Sequence, residues 1–305
     1  MRANFNNPAV NVQSWYVVAR SAAVGRGKVR SFDLLGRKVV LYRAASGRVH
    51  VMDARCPHLG ANLGHGTVVG EELQCAFHNW RFGPDGQCRA APGLAEPPQR
   101  HVRAYPVQER WGLLWLFNGP EPLFDLPQLP AATRFWTLCP PSQHIRCHPH
   151  LVIANGLDAA HFEALHGMDL LESPRLTVEP PYRVTVELRG RPRAPLLRQL
   201  TGTERGAISA SFTTIGGHLA WTAVQEPIEF YVLFTGRPTA TGGCQTQTVF
   251  FLPRGLRSLR AFATTYALLR DDRRILDDIA FFPGFTENDA ALRAFAAQVN
   301  EMKTG

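Results

Sequence analysis

The chain has 305 residues, 45% of them hydrophobic, six cysteines and a formal charge of +8. No apolar run approaches the roughly 18–20 residues that span a bilayer. The start, Met1-Arg-Ala-Asn-Phe-Asn-Asn-Pro, has no apolar signal core, and six cysteines are too few for a disulfide framework. A cytoplasmic protein of one large or two ordinary domains is expected, with Cys88, Cys139, Cys147 and Cys244 as reduced thiols. The charge is uneven: residues 1–120 hold 15 Lys+Arg against 7 Asp+Glu, or +8, leaving the remainder neutral at 18 against 18. A basic first half fits an acidic protein partner. Nucleic acid is one alternative, without any accompanying motif; a solvated basic face is the other.

In chain order, Ser14-Trp-Tyr-Val-Val-Ala, Arg37-Lys-Val-Val-Leu-Tyr-Arg and Arg48-Val-His-Val-Met-Asp are short β-rich runs separated by Gly, Ser and Asp. Cys56-Pro-His58 and Cys75-Ala-Phe-His78 follow, then the strand-like Trp111-Gly-Leu-Leu-Trp-Leu-Phe. Residues 1–125 therefore predict an all-β, mainly antiparallel module. Gly119-Pro-Glu-Pro and Leu126-Pro-Gln-Leu-Pro form a proline-rich connection, which puts the boundary near 120–135. Residues 126–305 read as α+β. A helix is expected over 152–166, strands over about 174–252, and helices over about 258–281 and 286–302. The result is an antiparallel sheet covered by helices. Within it, Arg189-Gly-Arg-Pro-Arg reads as an exposed turn. His144, His148 and His150 read as surface or interface residues, since nothing pairs with them at a metal spacing.

The pairs Cys56/His58 and Cys75/His78 make one four-ligand set. Zinc could use it, but structural zinc sites favour Cys–Cys and His–His pairs. Here each pair is mixed. A 2Fe–2S cluster with two Cys on one iron and two His on the other explains the mixture better. Glycines at 60, 64, 83 and 86 let backbone approach the cluster, and Pro57 stiffens the first loop. Cys56-Pro-His-Leu-Gly-Ala-Asn-Leu-Gly-His-Gly, Cys75-Ala-Phe-His-Asn-Trp-Arg-Phe and Asp85-Gly-Gln-Cys resemble the Rieske domain of Rieske non-haem iron oxygenases. Trp15-Tyr-Val-Val-Ala-Arg-Ser and Leu35-Gly-Arg-Lys-Val-Val-Leu-Tyr-Arg fit the same family. The chain departs from it at Leu59, Phe77 and Asn79, where the family often has Arg, Tyr and Gly. Trp80 suits either the module's core or a subunit interface.

A second site lies in Asn155-Gly-Leu-Asp158-Ala-Ala-His161-Phe-Glu-Ala-Leu-His166. Asp158 and His161 share a helix face. His161 and His166 stand about 140° apart on an ideal helix, so they converge only if the helix distorts or ends near His166. Gly167 suits such an end. Two His and a carboxylate would make the facial triad of non-haem iron oxygenases. Asp271, Asp272, Asp277 and Asp278 are the candidate acids. The family resemblance favours Asp272, in Asp272-Arg-Arg-Ile-Leu-Asp277, with Asp271 its rival; pairing with Arg270, Arg273 or Arg274 accounts for the others.

The resemblance implies further that Asp158 is not a ligand. It would bridge His78 of a neighbouring subunit to His161, orienting the imidazole through its other nitrogen, within a head-to-tail trimer. It implies a flavin reductase or ferredoxin, fed by NAD(P)H, as electron source. The expected product is a hydroxylated or dealkylated molecule, as in the single-subunit monooxygenase and O-demethylase branch. Residues 206–225 lack Lys, Arg, Asp and Glu. An apolar pocket there would take a largely uncharged aromatic or alicyclic substrate; plain sheet core is the equal alternative. His218 and Asn155 are possible polar anchors, Phe212 and Trp221 possible apolar contacts. Desaturation or oxidative cyclisation at the same metal, or a simple electron carrier, are the competing functions.

Overall fold

The structure, a computed structural model, describes residues 3–129, 135–203, 206–255 and 257–305; the end of the proline-rich connection, residues 130–134, lies outside them. Contacts divide the chain into Ser14–Leu123 and a second unit of Met1–Gln13 with Phe124–Gly305. The first thirteen residues thus differ from their expected place in the β module. Asn4 explains why: its side chain donates to the carbonyls of Val299, Asn300 and Met302 at 3.2, 3.3 and 2.8 Å.

The first unit is built from antiparallel strands in three sheets. Its central strand, Arg37–Arg43, buries four successive residues, Val39 to Tyr42. Alternation sends successive side chains to opposite faces, so Val40 and Tyr42 join Met52, Leu63 and Phe82 in one core. Val39 and Leu41 join Leu114 and Leu116 in another. The first core also contains Cys56 and Cys75, which places both candidate ligand loops on a packed base. A Cβ at Gly86 would stand 1.9 Å from Val102 O, so the turn carrying Asp85-Gly-Gln-Cys needs glycine.

The second unit holds one nine-stranded antiparallel sheet. Its central strands are Arg183–Pro192, Ile208–Ile215, Leu219–Glu226, Phe230–Pro238 and Cys244–Pro253, each hydrogen-bonded to the next. The helices are α1 (Pro149–Ala154), α2 (Ala159–Ala164), α3 (Pro195–Thr201), α4 (Arg257–Leu276) and α5 (Ala290–Glu301). Residues from α1 and α5 pack on Val184, Val186 and Phe212 of the sheet, while Ala261 and Leu269 of α4 pack on Val232, Phe250 and Leu252.

Three expectations are corrected. The stretch 152–166 is not one helix: α1, a 3-10 turn Asn155–Leu157 and α2 replace it. The break is at Asp158, whose backbone is extended (φ −86°, ψ 102°) and whose side chain accepts the His161 amide as N-cap of α2. Arg189 to Pro192 are not a turn. They end the Arg183–Pro192 strand, with Gly190 paired to both Leu170 and Ile208, and only Arg193 leaves the sheet. His150 is neither a surface nor an interface residue, and His148 is half-buried. His150 is fully buried, stacks on Phe5 (centroids 5.6 Å, 6°) and lies 4.6 Å from the His218 ring. Its Nδ1 accepts the Asn6 amide at 3.0 Å, and His148 caps α1. The cover comes from residues about 145 positions away, beyond the reach of local pattern.

Candidate metal centres

Two loops of the first unit repeat one backbone pattern. Cys56 N donates to Ala61 O at 2.9 Å and Gly60 N to Cys56 O at 2.8 Å; Cys75 N donates to Trp80 O at 2.8 Å and Asn79 N to Cys75 O at 3.0 Å. The fourth residue after each cysteine is left-handed, Gly60 with φ 79° and Asn79 with φ 57°. Asparagine tolerates that region better than other side chains, so Asn79 can stand where glycine is common. The repeat presents Cys56 and Cys75 side by side. Burial, with Cys75 adding to it, pushes the Cys56 thiol up to about 11. The His58 and His78 rings lie 4.5 Å apart. Trp80 packs against the module's core and stacks on His58 at 4.4 Å and 6°.

His58 Nδ1 is buried without a hydrogen-bond partner among the described residues. An orphaned imidazole nitrogen beside two adjoining buried thiols fits a cluster that takes two sulfur and two nitrogen ligands. A single tetrahedral ion would draw all four donors together. Among the described residues, only His161, His166 and Asp272 form a set of three whose ligand atoms all lie within 4.8 Å.

That second set is assembled by the broken helix. α2 ends at Ala164, the chain turns through Gly167 at φ 59°, and His166 swings back toward His161. α4 supplies Asp272 from the other side of the cavity. His161 Nε2 and His166 Nε2 are 2.9 Å apart, and each is 2.9 Å from Asp272 Oδ1. Ligands at right angles, about 2.1 Å from a metal, stand about 3.0 Å apart (2.1 × √2). The three atoms are therefore spaced as the donors on one face of an octahedron would be. Burial raises the Asp272 carboxyl, but hydrogen bonds from His161 and His166 outweigh it and hold the group below the usual carboxylate range. Asn155 Nδ2 lies 3.4 Å from His161 Nε2. Asp271 pairs with Arg270 at 3.1 Å, and Asp277 and Asp278 face Arg273 and Arg146.

Residues 14–106 match the Rieske [2Fe-2S] domain family. This part of the chain is a Rieske [2Fe-2S] domain. The chain is 35% identical over 162 residues to cholesterol 7-desaturase of Bombyx mori, covering 52% of this chain and 36% of the relative. It is 34% identical over 162 residues to 4beta-methylsterol monooxygenase of Methylococcus capsulatus, covering 50% and 44%. The matches thus span less than half the length of these relatives. The fold is that of dicamba monooxygenase, with a TM-score of 0.70 at 20% identity over 94% of this chain and 96% of that one.

In the second unit a cavity of about 220 Å³ opens from His161, His166 and Asp272. Its walls are mostly apolar, with Phe162, Phe212, Phe230 and Phe234 prominent and Ser211, Thr222 and Thr248 interspersed. Among the described residues, Asp272 is its only carboxylate. Of the substrate candidates, Phe212 and Asn155 line it; His218 and Trp221 do not. Thr222 and Val224 face the cavity from the Leu219–Glu226 strand, so alternation turns Trp221 to the other side. His218 sits 1% exposed among His148 and His150. The α4 wall, including Ala261, Thr265 and Leu268, escaped the sequence reading. Its signal was legible as one face of a helix, spaced by three and four residues and ending on Asp272.

Proposed function

We propose that the chain is the oxygenase component of a Rieske monooxygenase acting on a largely apolar small organic molecule. The observation that carries this is the 2.9 Å triangle of His161, His166 and Asp272 at the end of an apolar cavity. His161, His166 and Asp272 would hold a mononuclear iron, and Cys56, His58, Cys75 and His78 a 2Fe–2S cluster. When bound, the iron supplies dioxygen activation with electrons delivered from the cluster.

The chain's own residues do the rest. The aromatic walls exclude water and hold the substrate beside the triad, not on it. Asn155 presents its amide next to His161. Asp158 would link His161 to His78 of a neighbouring subunit, which calls for a homotrimer. The basic excess of residues 1–120 supports an acidic ferredoxin or flavin reductase, supplied by NAD(P)H, as donor. No helix among the described residues is long and apolar enough to cross a membrane, in keeping with a cytoplasmic setting.

Desaturation is the second reading. It is favoured by the likeness to a protein named cholesterol 7-desaturase, because removing a hydrogen from the substrate precedes both outcomes. Iron analysis with electron paramagnetic resonance, followed by reductant-driven oxygen uptake and product analysis on apolar ring compounds, tests the proposal. Three irons per chain and substrate-dependent uptake are expected; two irons and no uptake with any reductant would sink it. A product carrying a new double bond and no added oxygen would select desaturation.

A further inference from the structure

Metal-binding histidines usually give their second ring nitrogen to a carbonyl or carboxylate, which fixes the ring. His166 does not: its Nδ1 is buried without a hydrogen-bond partner among the described residues. The direction of its Nε2 is therefore left to ring packing against Phe162 and to the backbone that carries it. That backbone is a short turn between α2 and the Met168–Leu170 strand, hinged at the left-handed Gly167.

Arg193 grips this turn on both sides of His166. Its backbone N–H donates to Gly167 O at 2.7 Å. Its guanidinium donates to Glu163 O at 3.1 Å, before the histidine, and to Met168 O at 3.3 Å, after it. The Nε donates to Asp169 Oδ1 at 2.6 Å. The pair with Asp169 is half-exposed, at 52% and 50%, and as a salt bridge contributes little. The planar fork is what matters, since one rigid group spans three acceptors that a flexible ammonium could not hold together. Arg193 does not line the cavity, so its effect would reach the site only through His166.

We propose that Arg193 is a positioning residue, holding the turn 163–169 so that His166 Nε2 stays in place against His161 and Asp272. The proposal rests on the reading of these three residues as metal ligands. The test is Co(II) titration of the full, cluster-loaded chain after removal of mononuclear iron. Affinity is read together with the cobalt ligand-field spectrum. Arg193→Met is expected to weaken Co(II) binding about tenfold, in the range for partners that orient ligands, and to change the spectrum. Cluster absorbance and the melting temperature of the cobalt-free protein should stay as in the wild type. Arg193→Lys should recover part of the affinity. A folded Arg193→Met with wild-type affinity and spectrum would overturn the proposal. If that variant does not fold, Arg193→Lys carries the test, and wild-type affinity and spectrum there would overturn it equally. Absence of Co(II) binding in the wild type would instead overturn the reading of the metal site, and this inference with it.

Discussion

Asp158 already has one observed task, capping α2 through the His161 amide at 3.1 Å. Asparagine caps as well as aspartate, so Asp158→Asn separates the cap from the proposed electron bridge. We expect the variant to keep both metals and its melting temperature while turnover falls by orders of magnitude; loss of the cluster would refute the bridge. Asp272→Ala should leave two irons per chain, with the cluster spectrum intact, by metal analysis. Gly156 tests the packing behind the candidate ligands. A Cβ there would lie 2.1 Å from the Phe212 ring, and overpacking of this kind costs about 1–3 kcal/mol. Gly156→Ala should lower the melting temperature, and should lower it less when introduced into a Phe212→Ala background. A melting temperature equal to wild type for Gly156→Ala would contradict the contact.

Among elements, the amino-terminal segment and α1 enclose His148, His150 and His218. Burial holds all three neutral, and neighbouring imidazoles add to it for His150 and His218: His148 falls to about 4, His218 to about 3, and His150 well below its ordinary value. In the unfolded chain these rings titrate near 6.5. Their folded values are depressed, so their stabilising contribution is complete above about pH 6.5. It is lost as pH falls toward 4 and 3, because the unfolded state takes up protons that the folded state refuses. The limiting slope is about 1.4 kcal/mol per pH unit for each histidine. Denaturant midpoints should therefore drop steadily from pH 7 to 5, and His218→Gln should lessen the slope. A midpoint flat over that range would contradict the burial of the three rings.

At the scale of the whole molecule, assembly and charge make separable claims. A homotrimer should elute in light-scattering chromatography at three times 33.9 kDa. Coupling to an acidic donor should slow as ionic strength rises, because screening over about 10 Å at 0.1 M weakens long-range attraction. A rate indifferent to salt would assign the +8 of residues 1–120 to solvation alone.

The candidate ligands of the first site were legible in the sequence because they are local. Cys56/His58 and Cys75/His78 sit on two loops a few residues long, and each loop's backbone pattern closes within itself. The second site was legible only in part. Residue spacing put His161 and His166 about 140° apart on an ideal helix, and the convergence came from a break at Asp158 and a turn at Gly167 that depend on capping and on packing against the sheet. Asp272 belongs to a helix more than a hundred residues away, whose facing is decided by its buried contacts with the sheet. The cavity needed the same long-range information. Phe212 faces it while His218 and Trp221, nearby in the same uncharged stretch, do not, since strand register and not composition selects the face. Sequence by itself determined which donor atoms exist and which chemistry they suit. Tertiary structure decided which of them meet, because bringing distant segments together depends on burial and pairing that no local window contains.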